Sequence, residues 1–458
     1  MPVLARAHIF PLSPNCRRLA SLSQLDNWGD CVDTSRKRKI KTKFTIAQAT
    51  RIVAIAALST TFLISLLVAA NRAPDQESSP AQIATTTPAT TADKNFYSAA
   101  DLNLSSYPNG ALIRSAPMEN APDNASAFRV LYRSTGLHGE PIAVSGVVIV
   151  PAGTPPPGGR PIVAWAHPTT GIVAQCAPSL ARVFFRSIQG LHELLAQGFV
   201  IAATDYPGLG TAGPHPYLVG ISEARAVLDS VRVARQIPGS GNGKVFAVWG
   251  HSQGGQAALF TGILAHEYAP ELELVGVAAA APATDLATLL SADLDTNGGR
   301  NITAMTLWSW SRIYNAPIDN VVTPEAIPVI DRLANDCIER FFDVFTRRAP
   351  SRALTRSFLK VKNVSDIEPW HTLLVENSPG PLPSNIPVFL AQGTKDQLVL
   401  PAVTQSYYTK LCQSGSPVQF DSLPNVGHLF AARDSAKPTI AWLSVRFRHE
   451  PAPTTCPK

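Results

Sequence analysis

Gly250-His251-Ser252-Gln253-Gly254 sets a serine between two glycines, directly after the apolar run Val245-Phe246-Ala247-Val248-Trp249. A serine in a strand, tight turn and helix arrangement is a nucleophile elbow, in which the hydroxyl stands above the edge of a sheet. Glycines two before and two after leave room for the turn and for a close helix approach. The Ala-rich stretch 253–267 predicts that helix, with its positive end at the hydroxyl. The chemistry this implies is acyl transfer through an acyl-serine.

Such a serine needs a base and an acid, and in this fold the chain order is serine, acid, histidine. Asp396 stands in Gly393-Thr394-Lys395-Asp396, just past the apolar strand predicted over 387–391. His428 follows the extended run 417–422, and the one other histidine beyond Asp396 is His449, near the charged tail end. The roles follow. His428 takes the proton of Ser252 and returns it to the leaving alcohol, while Asp396 orients the ring and stabilises the imidazolium. Asp421 is the rival acid, but it falls within the strand before the histidine loop. Asp205 precedes Ser252 and reads as a loop carboxylate capping backbone N–H groups. His215 reads as an entrance-loop residue and His167 as a loop-stabilising one. The oxyanion needs two backbone donors. Gln253 supplies one. Thr169, in His167-Pro168-Thr169-Thr170-Gly171, is the choice for the second, with Thr170 as the fallback, because Pro168 has no N–H.

The elements around these residues read as one α/β domain over 96–458, a mostly parallel sheet with helices on both faces. Strands are predicted over 142–150, 161–166, 199–204, 244–249 and 274–280, mainly apolar and without alternation, as strands covered on both faces are. Between them lie helices over 191–197 and from Ser222, a candidate cap, to Ala234, with Glu223 in the first turn. Residues 285–385 form a long insertion with helical pieces such as 327–345 and many aromatics. A hundred residues between two strands is far beyond an ordinary connection, and the expectation is a helical cap that excludes water and offers an apolar surface to acyl chains.

The chain of 458 residues carries a net charge of +6. Its basic excess lies in the first 51 residues, which hold ten Lys or Arg against three Asp, so the rest is close to neutral. No basic patch falls on the α/β domain, which argues against nucleic acid as a partner. The basic segment 1–43 precedes the hydrophobic span 44–70. Its uncharged stretch 52–70 covers roughly 28 Å as a helix, about a membrane's hydrocarbon width. Basic flanks beside such a span are the positive-inside arrangement. A cleaved signal peptide and an uncleaved anchor both fit, and either places the α/β domain outside, secreted or anchored at the cell surface. Residues 71–95, rich in Ala, Thr, Pro and Ser, read as a flexible linker. Cys176, Cys337, Cys412 and Cys456 follow the span. They could form two disulfides in any of three pairings, and their wide spacing fits no zinc or redox motif. No metal or cofactor is expected. The elbow alone leaves other acyl substrates open, such as peptides, and also a noncatalytic binding protein. An epoxide hydrolase is disfavoured because its usual nucleophile is Asp.

From about Phe96 onward the chain resembles the secretory lipases, an α/β-hydrolase family. The stretches that carry the likeness are His167-Pro168-Thr169-Thr170-Gly171 with Cys176-Ala177-Pro178, Ala203-Thr204-Asp205-Tyr206-Pro207-Gly208-Leu209-Gly210, Gly250-His251-Ser252-Gln253-Gly254-Gly255 and Gly393-Thr394-Lys395-Asp396. The resemblance implies hydrolysis of acylglycerols and simpler esters at a lipid or membrane interface, without a metal. It implies a helical cap and a triad of Ser252, Asp396 and His428. It also implies disulfides Cys176–Cys337, tying the oxyanion loop to the cap, and Cys412–Cys456. Pro168 stands where the family pattern has glycine, which stiffens the oxyanion loop.

Overall fold

The computed structural model describes residues 95–338, 354 and 356–457. The basic segment, the hydrophobic span and all but the end of the linker lie outside the described residues. Among the described residues no helix is long and apolar enough to cross a membrane.

Nine strands form one sheet: β1 (Leu112–Pro117), β2 (Ala125–Thr135), β3 (Pro141–Pro151), β4 (Ile162–Ala166), β5 (Val200–Thr204), β6 (Val245–His251), β7 (Glu273–Ala280), β8 (Val388–Gly393) and β9 (Val418–Leu423). Their spatial order is β1-β2-β3-β5-β4-β6-β7-β8-β9. Pairing is antiparallel from β1 through β3 to β5, and parallel from there to β9. All five residues of β4 are buried. Val163 and Trp165 join one core cluster, and Ile162, Ala164 and Ala166 the other. A strand at the centre of a covered sheet has no solvent face, so its sequence has no alternation.

Helices cover both faces. α1 (Leu191–Ala196), α2 (Gly220–Ala234) and α3 (Gln253–Tyr268) fall between strands of the first half. α4 (Leu286–Ala292), α5 (Asn297–Ile313), α6 (Ile327–Ala334) and α7 (Trp370–Glu376) lie in the long connection from β7 to β8. α8 (Pro401–Gln413) and α9 (Ala431–Phe447) complete the chain. Leu191 and Leu194 of α1 pack with Trp442 and Leu443 of α9 in one cluster, while Val227 of α2 and Leu259 of α3 enter the other. The helices and strands thus form the covered, mostly parallel sheet expected of an α/β hydrolase.

Two local expectations need correction. Ser222 does not cap α2, which starts at Gly220 and buries Ser222 inside its first turn. Instead the N–H of Gly220 donates to Oδ1 of Asn377, 3.2 Å away at the end of α7, and the N–H of Leu218 donates to Glu223 Oε1 at 3.0 Å. A partner from 157 positions along the chain supplies what a local cap residue would. The helical pattern over 327–345 yields a helix of eight residues, ending at Ala334, with 339–353 outside the described residues.

Candidate active site

Ser252 alone links β6 to α3. Its backbone sits at φ 58° and ψ −118°, a conformation glycine dominates and side-chain residues avoid. The flanking glycines are there for space. A Cβ on Gly254 would run into the carbonyls of Ala166 and His167, and one on Gly250 into the carbonyl of Gly254. The helix therefore crosses close over the end of β4. The Ser252 N–H donates to Ala280 at the end of β7 (3.0 Å), which pins the turn to the neighbouring strand.

His428 Nε2 lies 2.8 Å from Ser252 Oγ, and His428 Nδ1 lies 2.8 Å from Asp396 Oδ2. Asp396 sits three residues past β8 and His428 five past β9, so two adjacent parallel strands deliver the carboxylate and the imidazole to the same edge. Asp396 Oδ1 accepts the N–H groups of Leu398 (2.9 Å) and Val399 (2.8 Å). Burial works to raise the Asp396 pKa, but the charge and hydrogen bond of His428 and these two N–H groups outweigh it. The carboxyl is held below its ordinary value and is ionised at neutral pH. Gln392, at the end of β8, also donates to Asp396 Oδ2 (3.1 Å) and takes a bond from the Thr404 hydroxyl (2.7 Å). Nothing in the local sequence marks Gln392, because its role depends on a loop that turns back over the strand end. Asp421 lies inside β9, away from this line, with its Oδ1 on Gln419.

Thr169 and Thr170 line the same cavity as Ser252 and His428. Among the described residues, neither the Thr169 nor the Gln253 backbone N–H donates a hydrogen bond within the protein. The loop carrying them is tethered to the segment after α6. Cys176 is bonded to Cys337, the Ile338 N–H donates to Thr170 O (2.8 Å), and Gln175 donates to Asn335 O (2.8 Å). The second disulfide joins Cys412 to Cys456. His167 lies inside the loop, with Nδ1 2.7 Å from Pro168 O and Nε2 3.2 Å from Asp205 O; burial lowers its pKa to about 4, so the neutral ring donates to one of the two. Asp205 accepts the Ser179 N–H and the hydroxyls of Ser145 and Ser179, and burial pushes its carboxyl up to about 6.

His215 is not an entrance residue; it is fully buried. Its Nδ1 donates to Pro207 O (2.8 Å), which leaves Nε2 to accept from the amide nitrogen of Gln253 at 2.9 Å. The same amide nitrogen donates to Glu223 Oε1 at 2.7 Å. The side chain that follows Ser252 is thus anchored by two groups brought from α2 and the loop before it. Burial lowers the His215 pKa to about 3 and raises that of Glu223 to about 8, so both are neutral at pH 7. His251 is likewise buried and neutral, lowered to about 3, with its Nε2 donating to His428 O (3.0 Å).

Glu223 gives a direct test of this burial. Its folded pKa of about 8 lies above the ordinary 4.5, so its contribution to stability is full below the unfolded value and is lost as pH rises through the folded one. Between pH 5 and 8 the wild type should lose roughly 3 kcal/mol relative to Glu223→Gln, which does not titrate. Urea unfolding of both proteins at the two pH values reads this difference, and parallel declines would refute it.

The family model for secretory lipases matches residues 187–455, more than half of the chain. The chain belongs to the secretory lipase family. It is a carboxylic ester hydrolase of the lipase and esterase kind. Lipase 9 of Candida albicans is 25% identical over 358 residues, covering 72% of this chain and 76% of that protein. A protein of Mycobacterium tuberculosis described as a probable inactive lipase is 25% identical over 374 residues, covering 75% and 79%. Among solved structures, Candida antarctica lipase A in its closed state superposes with a TM-score of 0.68 at 19% identity, covering 81% of this chain and 89% of that one. The rice cell wall degrading esterase LipA from Xanthomonas oryzae gives 0.60 at 22%, covering 75% and 98%. These likenesses agree on the α/β-hydrolase fold. The secretory family and the two disulfides together point to an exported protein.

Proposed function

We propose that Ser252, His428 and Asp396 are the catalytic triad of this ester hydrolase, with the N–H groups of Gln253 and Thr169 as the oxyanion hole. The observation that carries the reading is the unbroken line of two 2.8 Å hydrogen bonds from carboxylate to imidazole to hydroxyl. Ser252 Oγ attacks the ester carbonyl as His428 Nε2 takes its proton. The C–O bond to the alcohol then breaks and the same proton goes to the leaving oxygen. Water repeats the sequence on the acyl-serine, its proton passing to His428 and then to Ser252 Oγ as the acid departs. Asp396 stays ionised throughout and keeps the Nδ1–H tautomer.

Acylglycerols at a lipid interface are the proposed physiological class, and residues 285–385 the cap over the site. Support comes from the apolar side chains this stretch sends toward Ser252: Leu286, Ile302 and Ile338. For the N-terminal region the reading is export by the 44–70 span, acting as a signal or an anchor, with 71–95 as a spacer. A fluorophosphonate probe tests the chemistry without a choice of substrate. It should label the folded protein stoichiometrically, with the adduct on the peptide containing Ser252. An unlabelled folded protein would favour a binding role on a hydrolase scaffold.

A further inference from the structure

Two cavities meet at Ser252. The larger, about 130 Å³, is bounded by His428, Leu429, Pro168, Phe184 and Ile338. The smaller, about 30 Å³, is bounded by Gln253, Leu286, Leu289, Leu290 and Thr303. Ser252, Ile302 and Leu398 line both, whereas His428 lines the larger and not the smaller.

That asymmetry orients an ester. The general acid must be within hydrogen-bond reach of the oxygen it protonates. The alcohol half of the substrate therefore lies on the side of His428. The acyl tail leaves the carbonyl carbon in the other direction, toward the cavity that contains Gln253 and lacks His428. With Ser252 and His428 as nucleophile and acid-base, on which this rests, we propose that the smaller cavity seats the acyl tail and the larger the alcohol. The enzyme is then selective for short acyl chains on bulky apolar alcohols, which among acylglycerols means short-chain triacylglycerols with the diacylglycerol half as the alcohol.

The sizes make this quantitative. One water-sized group needs roughly 10–15 Å³ of such space. The smaller cavity then holds about two or three groups, the tail of a propionyl or butyryl ester, and the larger about ten. Leu286, Leu289 and Leu290, spaced to share one side of α4 and all buried, set the limit. Gly299, Ile302 and Thr303 of α5 face the same space.

Two substrate series on the full-length enzyme test the assignment. With p-nitrophenol held constant and the acyl chain lengthened, kcat/KM should peak at propionate or butyrate and fall about tenfold or more by octanoate. With acetate held constant and the alcohol enlarged from methyl to 2-cyclohexylethyl, a series of alkanols of similar acidity, kcat/KM should rise. Leu289→Ala should raise the octanoate-to-butyrate ratio about tenfold, the scale on which a hydrophobic pocket discriminates methylenes. Rates that climb with acyl length and ignore the alcohol would overturn the assignment, as would a folded Leu289→Ala protein with an unchanged ratio. If that variant does not fold, the two wild-type series decide. Absence of turnover with every ester would overturn the hydrolase reading itself, and this assignment with it.

Discussion

Ser252→Ala should lower kcat for p-nitrophenyl butyrate by about four to six orders of magnitude while leaving the far-UV circular dichroism and melting temperature unchanged. The loss is large because the hydroxyl is the group on which the His428–Asp396 line ends. What survives is the rate that donors and binding give to attack by water. The fold is spared because alanine keeps the backbone of the turn, the 3.0 Å bond to Ala280 and the close crossing at Gly254. Hydrolysis within a hundredfold of wild type would remove Ser252 from the mechanism.

Asp396→Asn should cost about four orders of magnitude in kcat, through the tautomer of His428. Two backbone N–H groups, from Leu398 and Val399, point at Oδ1. They require the amide oxygen of an asparagine to occupy that position. The amide NH2 then faces His428 Nδ1, which must accept, so the ring proton moves to Nε2. A protonated Nε2 cannot take the proton of Ser252. Asp421→Asn, on the neighbouring edge strand β9, is the control and should leave kcat within a factor of a few. Steady-state kinetics with a melting curve for each variant decides between them. Equal effects of the two would mean that Asp396 is not the orienting acid.

The parts of the site legible in the sequence are those that one short segment dictates. Gly250 and Gly254 are steric requirements of a helix crossing a strand end, so their spacing travels with the turn. Asp396 and His428 are legible because parallel strands deliver their following loops to one edge, and each loop held few rival side chains. Side chains whose roles depend on distant partners were not legible. Glu223 reads as a first-turn acid, yet it is buried against Gln253 and Leu218. His215 reads as an entrance residue from its Pro- and Gly-rich loop, but Ser309 of α5 accepts the Tyr217 N–H and donates to His215 O, which closes that loop inside. β1 and β2 were also missed. Arg114, Arg129 and Arg133 interrupt their apolar pattern, and β1 is an edge strand with one face to water. The cap of α2 comes from Asn377, which no local window contains.

The left-handed backbone of Ser252 has an evolutionary consequence. At φ 58° and ψ −118°, a residue with a side chain costs on the order of 1–3 kcal/mol, and glycine would relieve it. Drift toward stability alone therefore runs away from serine at this position. A single substitution could leave a sturdier protein with no chemistry. On the triad proposed above, that structural disadvantage accompanies the position of the hydroxyl beside His428 Nε2.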